Sequence, residues 1–315
     1  MTRYRNDLPQ LRGGLFLTDG GMETTLMFHR GIELPFFSTL PLLRTPEGVR
    51  ALCDYFAPYL DIVKRARCGF VVETATWRAS PDWAERLGMT PAEAVGAMRE
   101  AVGLVEQMRE EHDTPETPIV VSGNIGPRGD GYVAGDLMTP TEAEAYHRPQ
   151  VETFAGTTAD MVCAMTMTNA AEATGIAAAA KRAGMPAAIS FTVETDGRLP
   201  TGQPLGEAIA EVDDATGGAP AYYMINCAHP VHFVQALDER APWIGRLRGL
   251  RANASTCSHA ELDAMTELDT GDPADLGRRY GALVARLPHI NVLGGCCGTD
   301  HRHIESIGAA VRVAA

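Results

Sequence analysis

The chain of 315 residues is 45% hydrophobic and 21% charged, an ordinary globular composition with ample material for a large core. Its formal net charge of -13, without any basic run, speaks against a nucleic-acid partner, and no apolar stretch is long enough to span a bilayer. The opening MTRYRNDLPQ lacks an apolar signal-peptide core, and the seven cysteines are odd in number and scattered. A cytoplasmic location is therefore expected, where closely placed thiols serve as metal ligands or catalytic groups rather than disulfides.

Short apolar or β-branched runs alternate with helical stretches. The predicted strands, in chain order, are Leu15–Thr18, Gly69–Thr74, Ile119–Asn124, Met161–Thr166, Ala187–Val193, Tyr222–Cys227, Leu247–Asn253 and Ile290–Gly295. The clearest helices between them are Pro46–Arg67, Thr90–Glu111, Thr139–Thr158, Asn169–Ala183 and Pro273–Leu287. Thr-Pro pairs at Thr45-Pro46, Thr90-Pro91 and Thr139-Pro140 mark helix starts, and Gly184 closes the helix before the fifth strand. Eight strands alternating with about eight helices predict a (β/α)₈ TIM barrel, with residues 1–315 forming a single domain. An open doubly wound sheet is the alternative. It usually carries a G-x-G-x-x-G turn after its first strand, and TDGGMETT lacks that spacing.

In such a barrel the active site forms at the C-terminal ends of the strands. Those ends read TDGG, ETATW, GNIGP, MTMTN, INCAHP, NAS and GGCCG. Cys227 closes strand six, and Cys296 and Cys297 close strand eight, one strand away across the barrel mouth. Adjacent side chains of a strand point to opposite faces, so two neighbouring thiols converge only where the backbone bends. Gly294, Gly295 and Gly298 around the pair permit that bend. Three thiols at one mouth read as a Zn²⁺ site with one position left open. The plainer alternatives are small buried residues or a disulfide between Cys296 and Cys297.

A site of three thiolates is a poor Lewis acid but suits the binding of a substrate thiol as an electron-rich thiolate. A free thiol of pKa ~8.5 is only about 3% ionised at pH 7, so full ionisation raises the thiolate population about thirty-fold, or ~2 kcal/mol. Nucleophilicity falls as the pKa falls, so most of the catalysis must come from aligning donor and acceptor.

The motifs TDGGMETTL, GNIGP, YHRPQVE, INC and GGCCGT together resemble the zinc-dependent homocysteine S-methyltransferases, from Asp19 to about Ile307. The resemblance implies that Cys227, Cys296 and Cys297 bind Zn²⁺ and that the homocysteine thiol takes the fourth position. There it attacks a methyl group on a cationic sulfonium or ammonium donor, giving methionine. It also implies acceptor binding by Asp19, with Asn226 beside the ligand cysteine. Two positions depart from the family pattern. Met165 stands where the family carries a Glu that binds the homocysteine amino group, and NAS at Asn253–Ser255 replaces Asn-Ser-Gly or Asn-Pro-Gly. Either Asp19, Glu73 or another carboxylate takes over the amino group, or the acceptor is a different thiol. A barrel with a structural zinc and a redox protein using Cys296 and Cys297 are rivals from other classes.

Trp77 follows strand two, where an indole could hold the donor cation by its ring face, with Glu73 and Thr74 lining the same strand end. Tyr132 and the Phe36-Phe37 pair are weaker candidates for that role. His301 and His303 fall in the first turn of the last helix and are expected at the surface or in capping. Cys53, Cys68 and Cys163 are expected to pack, and Cys257 lies in the loop after strand seven. GNIGPRGDG lacks the Lys-Ser/Thr ending of a P-loop and reads as an active-site loop. The expected partners are a small thiol acceptor and a cationic methyl donor, with no nucleic acid and no membrane.

Overall fold

The computed structural model describes residues 2–314. Eight parallel strands close into a barrel in strict sequence order, β1 pairing with both β2 and β8. They are β1 (Phe16–Leu17), β2 (Gly69–Glu73), β3 (Ile119–Ile125), β4 (Met161–Met167), β5 (Ala187–Thr192), β6 (Tyr222–Asn226), β7 (Leu247–Ala252) and β8 (Val292–Gly295). The barrel helices that follow each strand are α1 (Pro46–Ala66), α2 (Pro91–His112), α3 (Pro140–Ala155), α4 (Ala170–Arg182), α5 (Leu205–Thr216), α6 (Pro230–Phe233), α7 (Pro273–Arg286) and α8 (His301–Ala314). The expected (β/α)₈ TIM barrel is the fold. The first strand is shorter than predicted, two residues against four, and α6 is a single turn. Among the described residues no helix is long and apolar enough to cross a membrane.

Local chemistry starts the helices where the sequence placed them. Thr45, Thr90 and Thr139 are N-caps whose hydroxyls accept the amide of the third helical residue, with Pro at the first position. Thr90 with Glu93 and Thr139 with Glu142 complete reciprocal capping boxes. The amphipathic helices lay their apolar faces on the outside of the barrel, and this layer holds most of the core.

Inside the barrel, the two-residue strand period sorts the lumen by height. Phe16, Val71, Val120, Met161, Cys163, Ala188, Tyr222, Met224 and Val292 fill its lower layers. Two residues further up the same strands stand Glu73, Ser122, Ser190 and Asn226, all buried, with Arg251 beside them. An apolar floor thus carries a polar top layer. The N-terminal segment seals the floor: Leu8 packs into the lumen, and the Arg3 and Tyr4 amides donate to Asp160 at 3.0 and 2.8 Å.

Cys53 is exposed on α1 rather than packed, because it lies on the helix face turned from the barrel, whereas Cys68 and Cys163 are buried as expected. His301 is exposed, but His303 is buried. Its Nδ1 accepts from the Asp300 amide at 3.0 Å and its Nε2 faces the Thr270 carbonyl at 2.8 Å, so it caps α8 from inside.

Candidate active site

β6 ends one residue before Cys227, which adopts a left-handed φ of 55°. That turn swings the residue out of strand register at the barrel top. Its carbonyl is pinned by Asn253 Nδ2 at 3.0 Å and by His259 Nε2 at 2.6 Å. Across the mouth, the Cys296–Gly298 turn is held on both sides. The Cys296 amide donates to Ala252 O at 2.8 Å, and the Cys297 carbonyl accepts from the Ala254 amide at 3.0 Å. Gly298 supplies the bend, with φ 78°. Gly294 and Gly295 have another reason to be glycine: a Cβ on either would collide with the hydroxyl of Thr18 or Thr299.

The three sulfurs converge. Cys227, Cys296 and Cys297 offer Sγ atoms all within 4.8 Å of one another, and among the described residues this is the one His/Cys/Asp/Glu group so arranged. Cys227 and Cys296 are in direct sulfur contact, with Cα atoms 5.4 Å apart, a contact that a disulfide would also make and that holds a metal only when both sulfurs are reduced to thiolates. Cys297 is a free thiol, so the adjacent pair is not bridged to itself. Cys257 stands outside the cluster. Burial pushes the Cys297 thiol up to about 11, so without a cation it stays protonated at neutral pH. A soft divalent metal is the natural partner for such a donor set.

Two cavities meet at these sulfurs. The inner one, about 60 Å³, reaches down to the polar top layer of the lumen. The outer one, about 390 Å³, opens under the loops that follow β1, β3 and β7. Cys227, Cys297, Thr24, Phe37, Trp77 and Thr166 line both. The outer wall combines apolar side chains with Asp130, Asp263, Glu267 and Asp269. Tyr132 closes it, stacked on His259 with ring centroids 4.0 Å apart and its hydroxyl donating to Cys297 Sγ at 3.5 Å.

Of the sequence candidates, Asp19, Glu73, Thr74, Trp77 and Met165 all line the inner cavity. Asp19 Oδ2 accepts from the Tyr55 hydroxyl at 2.9 Å, while Oδ1 lies 2.8 Å from Arg251 Nη2 as an ion pair without hydrogen-bond geometry. Thr74 Oγ1 is also occupied, accepting from the Asn124 amide at 2.9 Å and lying 2.7 Å from Thr76 Oγ1. The Trp77 indole donates to the Met165 carbonyl at 3.3 Å, and the Arg78 guanidinium lies 4.3 Å from its ring centre, covering one face. Phe37 lines both cavities, whereas Phe36 is exposed and packs toward Trp83. Asn226 touches neither cavity wall. Its Oδ1 accepts from the Thr166 amide at 3.0 Å and its Nδ2 donates to Thr166 Oγ1 at 2.7 Å. This holds Thr166 at a φ of 65°, a costly conformation for a β-branched residue, inside a register shift of β4 against β5.

Two groups went unnoticed in the sequence. Glu23, from the turn after β1, lines the inner cavity, where burial pushes its carboxyl up to about 7. Arg251 is buried near the end of β7, and a charged residue in a parallel strand covered on both faces was the available signal.

The family model described as homocysteine S-methyltransferase matches residues 16–311. The chain belongs to the homocysteine S-methyltransferase family. As a member it is a methyltransferase. It is 28% identical over 322 aligned positions to the homocysteine S-methyltransferase of Escherichia coli (strain K12), covering 94% of each chain. It is 26% identical to a selenocysteine Se-methyltransferase of Brassica oleracea var. italica, covering 71% of this chain and 68% of that one. Among solved structures, the fold matches the homocysteine methyltransferase MmuM of Escherichia coli in its oxidised form (TM-score 0.74, 22% identity, 96% and 97% of the two chains). It also matches the metallated form of that enzyme (TM-score 0.72, 23% identity, 94% and 96% of the two chains).

Proposed function

We propose that the protein is a zinc-dependent S-methyltransferase that moves a methyl group from a cationic sulfonium or ammonium donor to the thiol of homocysteine. The observation that carries this reading is the meeting of three cysteine sulfurs where two cavities join, Cys227 and Cys297 on the wall they share and Cys296 on the inner side. Cys227, Cys296 and Cys297 would hold the metal. Bound there, Zn²⁺ supplies one thing: it keeps the acceptor sulfur as a thiolate at neutral pH. No fourth His, Cys, Asp or Glu joins the cluster among the described residues, which leaves a ligand position for the acceptor and speaks against a purely structural site.

The chain's own residues do the rest. The inner cavity takes the acceptor. The outer cavity takes the donor, whose positive charge suits Asp130, Asp263, Glu267 and Asp269 and the indole of Trp77 on the side away from Arg78. The acceptor sulfur gives its electron pair to the methyl carbon. The bond from that carbon to the donor's sulfur or nitrogen breaks, and the donor leaves neutral, keeping that bonding pair. The proton lost by the acceptor thiol passes to solvent. Opposite charges are neutralised in the transition state, so a cavity that excludes water favours the step.

The altered thiol acceptor remains the second reading, and Met165 carries it, since its thioether cannot pair with an ammonium group. The test is elemental analysis of the purified protein, then a screen of sulfonium and ammonium donors with homocysteine. Stoichiometric zinc and methionine formation support the proposal. A metal-loaded protein that methylates no thiol with any such donor would refute it.

A further inference from the structure

Among the buried side-chain atoms without a hydrogen-bond partner at the polar top of the lumen, beside neutral ones such as Ser122 Oγ and Asn124 Oδ1, are a guanidinium nitrogen and a carboxyl oxygen of opposite character. Arg251 is 7% exposed, and each of its nitrogens but one is engaged. Nε donates to Gly295 O at 3.1 Å, and Nη2 donates to Gly20 O at 3.2 Å and pairs with Asp19. Nη1 has no partner. Glu73 is 3% exposed, and its Oε2 likewise has none. Both residues line the inner cavity that ends at the cysteines. A buried donor and a buried acceptor left unmade are each costly, so the pair marks a place built for a ligand with complementary ends.

We infer that Glu73 and Arg251 read the two charged ends of an α-amino-acid acceptor, Glu73 Oε2 receiving the ammonium group and Arg251 Nη1 the carboxylate. The inference deepens the methyl-transfer proposal and rests on it, because it takes the cavity below the cysteines as the acceptor's seat. Size agrees. At ~10–15 Å³ per water-sized group, 60 Å³ holds about five, and the ammonium, α-carbon and carboxylate together have five non-hydrogen atoms. The assignment also accounts for the departure at β4. Where Met165 offers no charge, Glu73 on β2 supplies it two strands away, and Asp19 holds Arg251 in place through their 2.8 Å pair.

The test is calorimetric binding to the metal-loaded protein of three thiols: homocysteine, the mercaptobutanoate left when its amine is removed, and the aminopropanethiol left when its carboxylate is removed. Wild type should bind homocysteine at least about tenfold tighter than either truncated thiol, the size of a charge-assisted hydrogen bond. Glu73→Gln should weaken homocysteine and aminopropanethiol and leave mercaptobutanoate unchanged. Arg251→Lys, which keeps a cation beside Asp19, should weaken homocysteine and mercaptobutanoate and leave aminopropanethiol unchanged. Equal affinity of wild type for all three thiols overturns the assignment without needing any variant, as does a variant that weakens all three alike. If none of the thiols binds while the metal is present, the methyl-transfer reading itself is what fails.

Discussion

At the scale of single residues, the cysteines and Glu73 make the sharpest demands. Cys297→Ser removes a soft ligand and should lower both zinc content and turnover. Full zinc occupancy in that variant, measured by elemental analysis, would contradict the ligand assignment. Glu73 sets a pH dependence. Burial pushes its carboxyl from an ordinary 4.5 up to about 8, so the empty protein holds a proton there that the unfolded chain has lost. The sign is the reverse of that for a salt-bridged carboxylate: without acceptor, this group lowers stability as pH rises from about 4.5 to about 8. If the acceptor's ammonium pairs with the ionised form, binding must release the proton. The affinity for homocysteine relative to mercaptobutanoate should then rise by up to about tenfold per pH unit below about 8 and level off above it. A flat ratio across that range would mean that Glu73 does not meet the amine. Trp77 has one face under Arg78, so a donor cation must use the other. Trp77→Ala should weaken donor use by roughly 0.5–2 kcal/mol in kcat/KM with acceptor dependence unchanged.

At the scale of strands and helices, what the sequence disclosed was what local chemistry decides. Threonine before proline placed three helix starts correctly, because a cap is made within four residues. Thr139→Ala, which breaks the capping box of α3, should cost about 1 kcal/mol, seen as a lower unfolding midpoint with unchanged ligand binding. The convergence of Cys227 with Cys296 and Cys297 was legible for a different reason: a closed barrel fixes where strands six and eight end relative to each other. The pairing of Asp19 with Arg251 was not legible, since it joins strand ends far apart in the chain and depends on side-chain reach. Nor was the register shift at Met165 and Thr166, where Asn226 of β6 accepts the Thr166 amide that leaves the ladder. Period-2 reasoning assumes a regular strand, and it loses the facing of residues beyond such a shift.

At the scale of the molecule, the barrel is braced at the end opposite its chemistry. Asp160 accepts four bonds there: the Arg3 and Tyr4 amides on Oδ1, and the Val121 amide at 3.0 Å with Arg109 Nη1 at 2.5 Å on Oδ2. It ties the N-terminal segment, β3 and α2 together. Asp160→Ala leaves the buried Arg109 with Glu106 as its one charged partner beside the Thr158 carbonyl and should destabilise by about 3–5 kcal/mol, lowering the unfolding midpoint in denaturant. The two cavities that share the cysteine wall have a consequence for how the reaction is timed and for its handedness. If donor and acceptor occupy opposite sides of the transferred carbon, no methylated form of the protein is needed between them. Initial-rate plots should then intersect, as for a ternary complex, rather than run parallel. A methyl group made chiral with hydrogen isotopes should emerge turned inside out, once inverted, on the acceptor sulfur.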